Sequence, residues 1–591
     1  MNDKKNFNVE ENFLKAIQNH KKNNYQIAEE YYKKVLEKEL NHFKSIFYLG
    51  TLYIQTKRFD LAKPLLLKVI QTQPNNVDAH YNLGLLYKEL GNFQKALSSY
   101  EKAIQIQPNN AYAHNNIGNV QRELGDYQKA INNYEKAIKI QPNNAIIYNN
   151  LGNALKDSRN YQKASSSYEK AIKLQPDYAD AHNNFGNTLK ELGEYQKAIS
   201  SYKKAIKIKK NSAQTYYNLA LAYKELGEKQ KAEDSYEMAV KYDPENLIYL
   251  FDLSQLKKGI LDSNLRNKIS KIIERSNSTK ENIAYGNFLL SKYELNNKKY
   301  ENEINYLLKG HNYFFDARSL KFKNEIDYWL NVLPKRKKLV NLYRYNNNTN
   351  KKNYSIVPIF IIGVPRCGST LIEKVIASGK RYIPIGEETG IIHRAVKKLL
   401  NNTQQLNSDL ENLYTEIIDM YKKRRLIQEK SNFIFTDKSL ENFFYLDIIS
   451  KIFPKAKVID CRRDITSSIM STLKNNQVFI AWAHQLENIL RYYDLYHKLV
   501  ENFEKNNPNF IYQLQYEKFI NDPENESKKL MNFCGLPWDM KCLEFYNRQD
   551  LISRTASNMQ IRKSIYKDSN NKYTQYKNFL SKHGNNYSWF D

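Results

Sequence analysis

At 591 residues, 41% of them hydrophobic and 26% charged, the chain is long enough for several separately cored domains and has the composition of a globular protein. No run of about 18 apolar residues occurs, so no membrane-spanning helix is expected, and the opening MNDKKNFNVEENF lacks the apolar stretch of a secretory leader. The formal net charge of +28 suits either a solvated basic surface or a field that draws anionic ligands, and without a nucleic-acid-binding module nucleic acid is not an expected partner.

Four cysteines, at 367, 461, 534 and 542, are scattered without zinc-ligand spacing. Reduced thiols, a cytoplasmic setting and no metal are therefore the expectation.

Cut every 34 residues, the first half repeats itself: NNVDAHYNLGLLYKELGNFQKALSSYEKAIQIQP is followed by NNAYAHNNIGNVQRELGDYQKAINNYEKAIKIQP. Proline recurs at 74, 108, 142, 176 and 244, with Lys210 in the missing slot. Gly50, Gly84, Gly118, Gly152, Gly186 and Ala220 keep the same beat, as do Tyr100, Tyr134, Tyr168, Tyr202 and Tyr236. This is the tetratricopeptide period, one helix–turn–helix per repeat, in which small residues let two helices approach and proline starts the next unit. Six clear repeats lie between about 42 and 244, and NFLKAIQNHKKNNYQIAEEYYKKVLEKEL (12–40) reads as a degenerate seventh. An α-helical superhelix over 1–244 is expected, its concave groove suited to an extended polypeptide, with an oligomerising or spacing role as the alternative. Residues 245–350 keep helical periodicity without the strict repeat and read as a helical bridge ending in a polar linker, YRYNNNTNKKNYSIVP.

From 358 the pattern changes. PIFIIG is a buried-strand run followed by a helical TLIEKVIAS; NFIFTDK, AKVIDCRRD and NFIYQLQYEKF supply three more β-rich runs. Strands alternating with helices predict a parallel α/β sheet with its ligands at the carboxyl ends of the strands. The first such end, IFIIGVPRCGSTLIEKV, has the GxxxxG spacing of a phosphate cradle, glycines that let backbone N–H groups approach anionic oxygens, and a helix start at Ser369 and Thr370. The lysine of a nucleotidase loop is absent, replaced by Ser369, while Arg366 places a positive charge inside the loop. That exchange suits a shorter phosphate group bound without a metal.

The motifs FIIGVPRCGSTLIE, IGEETG, FTDKSLENFFYLDIISKIFPKAKVIDCRRD and SSIMS, in this order, resemble sulfotransferases that use 3′-phosphoadenosine 5′-phosphosulfate (PAPS). The likeness extends over about 356–591, giving a P-loop-like sulfotransferase domain assigned to 351–591. The catalytic half resembles protein-tyrosine sulfotransferases, and the architecture resembles bacterial sulfotransferases carrying tetratricopeptide repeats. The resemblance implies that Arg366, Cys367, Gly368, Ser369 and Thr370 hold the 5′-phosphosulfate, and that Arg463 and Ser471 hold the 3′-phosphate. Tyr516 would lie near the nucleotide, with Ser557, Arg562 and Lys563 on a segment closing over it. Cys367, where the family often has serine, also reads as a packing residue, and Trp538 as core.

Sulfuryl transfer to a phenol of pKa about 10 needs a base to take its proton. The resemblance points to Glu388, with Glu387 as the fallback and His393 a further alternative. It also implies that Lys438, Arg366 and Ser557 meet the charge growing on the departing oxygen. Protein tyrosine is the expected acceptor, and a glycan, lipid or small-metabolite hydroxyl the alternative; Gly390 stands where the tyrosine enzymes carry an arginine that engages acidic peptides. A non-catalytic repeat scaffold and a P-loop nucleotidase or kinase are the readings from other classes, and a homodimer is left open.

Overall fold

The computed structural model describes residues 9–338, 356–401, 410–427, 433–475, 478–548, 565 and 573–590. The chain divides into two compact units, Met1–Pro244 and Glu245–Asp591.

The first unit consists, among the described residues, of seven helical hairpins, from Val9–Lys21 with Tyr25–Lys38 to Ala213–Glu225 with Lys229–Tyr242. Within a hairpin the glycine–tyrosine pairing fixes the crossing. A Cβ on Gly84, Gly118, Gly152 or Gly186 would lie 2.5, 2.7, 2.6 or 2.6 Å from the ring of Tyr100, Tyr134, Tyr168 or Tyr202. Glycine at the crossing is therefore a packing requirement, and the tyrosines it admits are fully buried. Their hydroxyls need partners: those of Tyr134, Tyr168 and Tyr202 donate to Oδ1 of Asn119, Asn153 and Asn187 at 2.8, 2.7 and 2.8 Å. Neighbouring hairpins are tied by side-chain amides: Asn150 donates to Asn115, Asn184 to Asn149 and Asn218 to Asn183 at 3.0, 3.1 and 2.9 Å.

The second unit opens with helices from Leu247–Leu256 to Leu333–Lys338, interrupted by a π-helical turn at Tyr328–Val332. A four-stranded parallel sheet follows, formed by β1 (Val357–Gly363), β2 (Ile434–Asp437), β3 (Lys457–Arg462) and β4 (Ile511–Gln515) in the order β2-β1-β3-β4. β1 is buried on both faces from Pro358 onward, which is why it reads as an unbroken apolar run. The helices expected to form a bridge pack on this α/β part. Glu303 accepts an ion pair from Lys474 at 2.6 Å and a hydrogen bond from the Tyr576 hydroxyl. His311 Nε2 bonds the Leu473 carbonyl at 2.8 Å while its Nδ1 meets His484 Nδ1 at 3.0 Å. Lys474 and Leu473 end the helix Ile465–Lys474, so these contacts fix the helix that carries Ser471. Trp538, expected in the core, is only half-buried; its Nε1 donates to Ser527 Oγ at 2.9 Å and the Lys528 ammonium covers its ring.

The tyrosines supply an internal control. Tyr100 OH is buried with no hydrogen-bond partner among the described residues, because Leu85 occupies the place that asparagine holds in later repeats. Tyr168→Phe, which orphans Asn153 Oδ1, is expected to cost about 1 kcal/mol, while Tyr100→Phe stabilises by a similar amount; paired urea titrations of the full chain check the opposite signs.

Candidate active site

β1 ends at Gly363, and the loop behind it turns through left-handed backbone at Arg366 (φ 69°) and Gly368 (φ 98°). A non-glycine residue at positive φ is a costly conformation that the surrounding contacts must hold. Gly368 then N-caps the helix Ser369–Ala377. Its lack of a side chain is required: a Cβ there would stand 2.3 Å from Tyr516 Cδ2. Tyr516, which starts the helix following β4, thus lies against the loop, and the Arg463 guanidinium sits 4.7 Å from the centre of its ring. Arg463 Nη1 also donates to the Arg366 carbonyl at 3.2 Å, and Arg366 Nε donates to Ser471 Oγ at 3.2 Å. Five residues expected at the nucleotide, from three strand ends, are thereby brought together.

Cys367 behaves differently. Its side chain is fully buried and turned to the sheet, where it shares a hydrogen bond with Cys461 at the end of β3; that bond holds the Cys367 thiol below, and the Cys461 thiol above, the ordinary thiol range. Its N–H is spent on the Val364 carbonyl at 3.2 Å. Of the two readings of Cys367, the buried side chain agrees with packing beneath the loop.

The GEETG segment runs along the free edge of β2 like a short extra strand. Thr436 N donates to Pro384 O, Lys438 N to Gly386 O and Glu388 N to Lys438 O, at 3.0, 3.0 and 3.2 Å. Asp437, fully buried, locks the turn beyond: its carboxylate accepts from Thr389 Oγ1 at 2.8 Å, Tyr421 OH at 2.6 Å and Ser439 Oγ at 2.7 Å. Burial pushes its pKa up, and these hydrogen bonds oppose the shift. Glu388 itself has φ 47°.

The two halves of the site meet at Lys438. Its side chain is 1% exposed, and Nζ lies 3.4 Å from Thr370 Oγ1 of the loop, 3.5 Å from Glu387 Oε1 and 3.7 Å from Glu388 Oε1. Burial works against this ammonium, but the attractions of Glu373, Glu387 and Glu388 outweigh it and raise the Lys438 pKa. Both carboxylates weighed as the base therefore reach the lysine, and exposure separates them: the Glu387 side chain is 11% exposed and that of Glu388 62%. His393 is turned elsewhere, its Nδ1 2.6 Å from the Tyr445 hydroxyl and its ring stacked on Trp329. Burial and the neighbouring Lys397 and Arg394 lower its pKa to about 4. Ser557, Arg562 and Lys563 lie outside the described residues.

Three further groups emerge that the sequence does not announce. Tyr573 is buried, bonds Ser471 and feels the charges of Arg366 and Arg463; burial raises its phenol. Glu441 is raised to about 7, first by burial and then by the like charges of Asp437 and Glu388. Glu373, on the helix behind the loop, is fully buried. Its position three residues after Thr370 marks the same helix face, but a charged residue in a helix reads as solvated until burial is known. Among the described residues no group of three or more His, Cys, Asp or Glu is placed to hold a metal ion, and no helix is long and apolar enough to cross a membrane.

A phosphate-type loop, flanking guanidiniums, a buried lysine and an adjacent carboxylate on one sheet edge agree with the comparisons. Residues 358–540 match the sulfotransferase family model, and 44–76, 77–110, 145–178 and 213–246 match tetratricopeptide-repeat models. The chain joins tetratricopeptide repeats to a domain of the sulfotransferase family. An uncharacterized protein of Aquifex aeolicus is 29% identical over 238 residues, 38% of this chain and 31% of that protein. An omega-hydroxy-beta-dihydromenaquinone-9 sulfotransferase of Mycobacterium bovis is 30% identical over 115 residues, 18% of this chain and 29% of that one. A Caenorhabditis briggsae protein named "Putative protein-tyrosine sulfotransferase" is 25% identical over 235 residues, 35% of this chain and 77% of that one. The chain thus spans under a third of the length of the first two relatives.

Glu373 carries a pH signature. Burial first, then the Glu387 charge, raises it from 4.5 to about 7 against the pull of Lys438. A carboxyl with a raised folded pKa contributes stability that is complete below about pH 4.5 and is lost as pH rises through about 7. Its share is about 3 kcal/mol. Unfolding midpoints of the second unit are expected to fall between pH 5 and 8, and Glu373→Gln to flatten that slope.

Proposed function

We propose that the second unit is a PAPS-dependent sulfotransferase. The observation that carries this reading is Lys438 Nζ within 3.4 Å of Thr370 on the loop and 3.7 Å of Glu388 on the edge of β2, so that one cation faces both the donor's end and the base. Arg366, Gly368, Ser369 and Thr370 would receive the 5′-phosphosulfate, and Arg463 and Ser471 the 3′-phosphate, with Tyr516 alongside. The acceptor oxygen forms a bond to sulfur as the bond between sulfur and the bridging phosphate oxygen breaks. The acceptor proton passes to Glu388, and adenosine 3′,5′-bisphosphate leaves. Lys438 and Arg366 stabilise the charge growing on the bridging oxygen. Glu388 is preferred over Glu387 as the base because its carboxylate is exposed to an incoming hydroxyl, whereas that of Glu387 is nearly enclosed beside the lysine.

The acceptor favoured is tyrosine in an acidic polypeptide, with the repeats as the part of the chain that binds a polypeptide. Gly390 stands where the resemblance calls for arginine; Arg394 Nη1 and Glu441 Oε1 each lie 3.6 Å from the position a Cβ on Gly390 would take, so a guanidinium is near that place with a carboxylate beside it. The name of the Caenorhabditis relative agrees with tyrosine, and that of the Mycobacterium relative favours the second reading, a lipid-like hydroxyl. A cytoplasmic setting suits the four free cysteines.

Labelled PAPS offered with an acidic tyrosine peptide and, separately, a quinol alcohol decides between acceptors. Transfer to the peptide is the expected result. Glu388→Ala is expected to lower kcat by about 10²- to 10⁴-fold and Lys438→Ala by about 10²- to 10³-fold, each with adenosine 3′,5′-bisphosphate still bound in calorimetry. Full transfer in both variants overturns the assignment.

A further inference from the structure

Glu373 has no part in the scheme above, yet its placement links the two halves of the site. It lies on the helix Ser369–Ala377, three residues beyond Thr370, and its side chain is buried without exposure. Oε1 accepts a hydrogen bond from Thr436 Oγ1 at 2.7 Å, and the same hydroxyl accepts from the Gly386 N–H at 3.1 Å. A three-member chain thus runs from the phosphate-type loop's helix through β2 to the segment bearing Glu387 and Glu388. Oε2 is buried with no hydrogen-bond partner among the described residues. An interior carboxylate with an unspent oxygen is unfavourable unless a charge offsets it, and Lys438 stands nearby. Its Nζ reaches Thr370, one turn before Glu373 on the same helix, and Thr436, which bonds Glu373, lies two residues before it on β2. Glu373 thus attracts the ammonium beyond the two carboxylates paired with it. The other charges facing Glu373 are Glu387 from the β2 edge and Lys374 on its own helix.

We propose that Glu373 is a positioning residue of the transfer site, an interior counter-charge for Lys438 that also ties the Gly386–Glu388 segment to β2 through the Thr436 hydroxyl. The inference rests on the role given to Lys438 under the proposed function. Its logic is one of timing. When Glu388 accepts the acceptor's proton it becomes neutral and ceases to attract Lys438. Glu373, enclosed behind the loop, retains its attraction through that step above about pH 7, where its carboxyl is ionised. The ammonium therefore stays charged and directed at the donor while negative charge builds on the bridging oxygen. Thr436 adds a mechanical link, because its hydroxyl can bond Gly386 and Glu373 together only when the loop helix and the β2 edge are in register.

Three variants of the full chain test this. Glu373→Gln keeps the shape and the acceptor for Thr436 but removes the charge. It is expected to lower kcat about tenfold, to leave the KM for PAPS within about twofold, and to move the alkaline limb of the kcat–pH profile down by about one unit, since Lys438 loses the partner that raises its pKa. Thr436→Val keeps the charge and breaks the link, so kcat falls with the alkaline limb unmoved. A Glu373→Gln profile that superimposes on the wild type overturns the inference. A second measurement is independent of turnover: urea midpoints of Glu373→Gln, Lys438→Met and the double variant. The double variant is expected to unfold at higher urea than the summed single shifts require, and simple additivity overturns the inference. If that coupling is present while the wild-type chain transfers no sulfuryl group to any acceptor, the proposed function fails and the Glu373–Lys438 link stands.

Discussion

A lysine with 1% of its side chain exposed is the constraint around which the α/β part of the second unit is arranged. Taking an ammonium out of water costs several kcal/mol unless opposite charge and hydrogen bonds replace the lost hydration. The surroundings of Lys438 meet that demand from three directions: Glu387 and Glu388 from the edge of β2, Thr370 from the loop, and Glu373 from behind. Each of these contacts also fixes something else. The carboxylates hold the GEETG segment beside β2, Thr370 fixes the distance from loop to lysine, and Glu373 anchors the first helix. Electrostatic need and site geometry are here the same set of contacts.

The parallel sheet explains why these groups converge. With all four strands running the same way, the ends of β1, β2, β3 and β4 present Gly363, Asp437, Arg462 and Gln515 along one edge, and the residues immediately beyond them build the site. Precision comes from outside the sheet. The Glu303–Lys474 ion pair and the His311 bond to Leu473 attach the helical segment before β1 to the far end of the helix bearing Ser471. What reads in the sequence as a bridge is, in space, part of the support of the helix Ile465–Lys474.

The legible and the hidden parts divide along a physical line. Features set by local backbone requirements could be read directly: the glycines at 363 and 368, the apolar runs of the four strands, and the glycine–tyrosine beat of the repeats. Arg366, Arg463, Ser471, Tyr516, Lys438 and the glutamate pair carried a family pattern, and the structure brings them to one edge. Features that depend on burial at a distance could not be read. Glu373 and Lys374 sit side by side in IEKVIAS and look like a solvated pair, yet both are enclosed because the helix is covered all round. Cys367 carried two readings, ligand contact and packing, because sequence does not say which way a loop side chain turns; its side chain is fully buried. Glu303 and Tyr576 stand 273 positions apart, and no local pattern could pair them. Glu388 in the left-handed region was equally invisible, since glutamate has no preference for it.

The repeats hold a different lesson. The four hairpins from Ala111–Glu123 onward meet one another through the same asparagine bond, and the four from Val77–Glu89 to Tyr195–Ile208 close on themselves through the same glycine against the same ring. Within that stretch, interchangeable junctions mean that a whole hairpin could be duplicated or excised in evolution with the new seam already complementary. Array length is thus free to drift in 34-residue steps, decoupled from the chemistry it accompanies, and closely related chains are expected to differ in hairpin number well before they differ at Lys438.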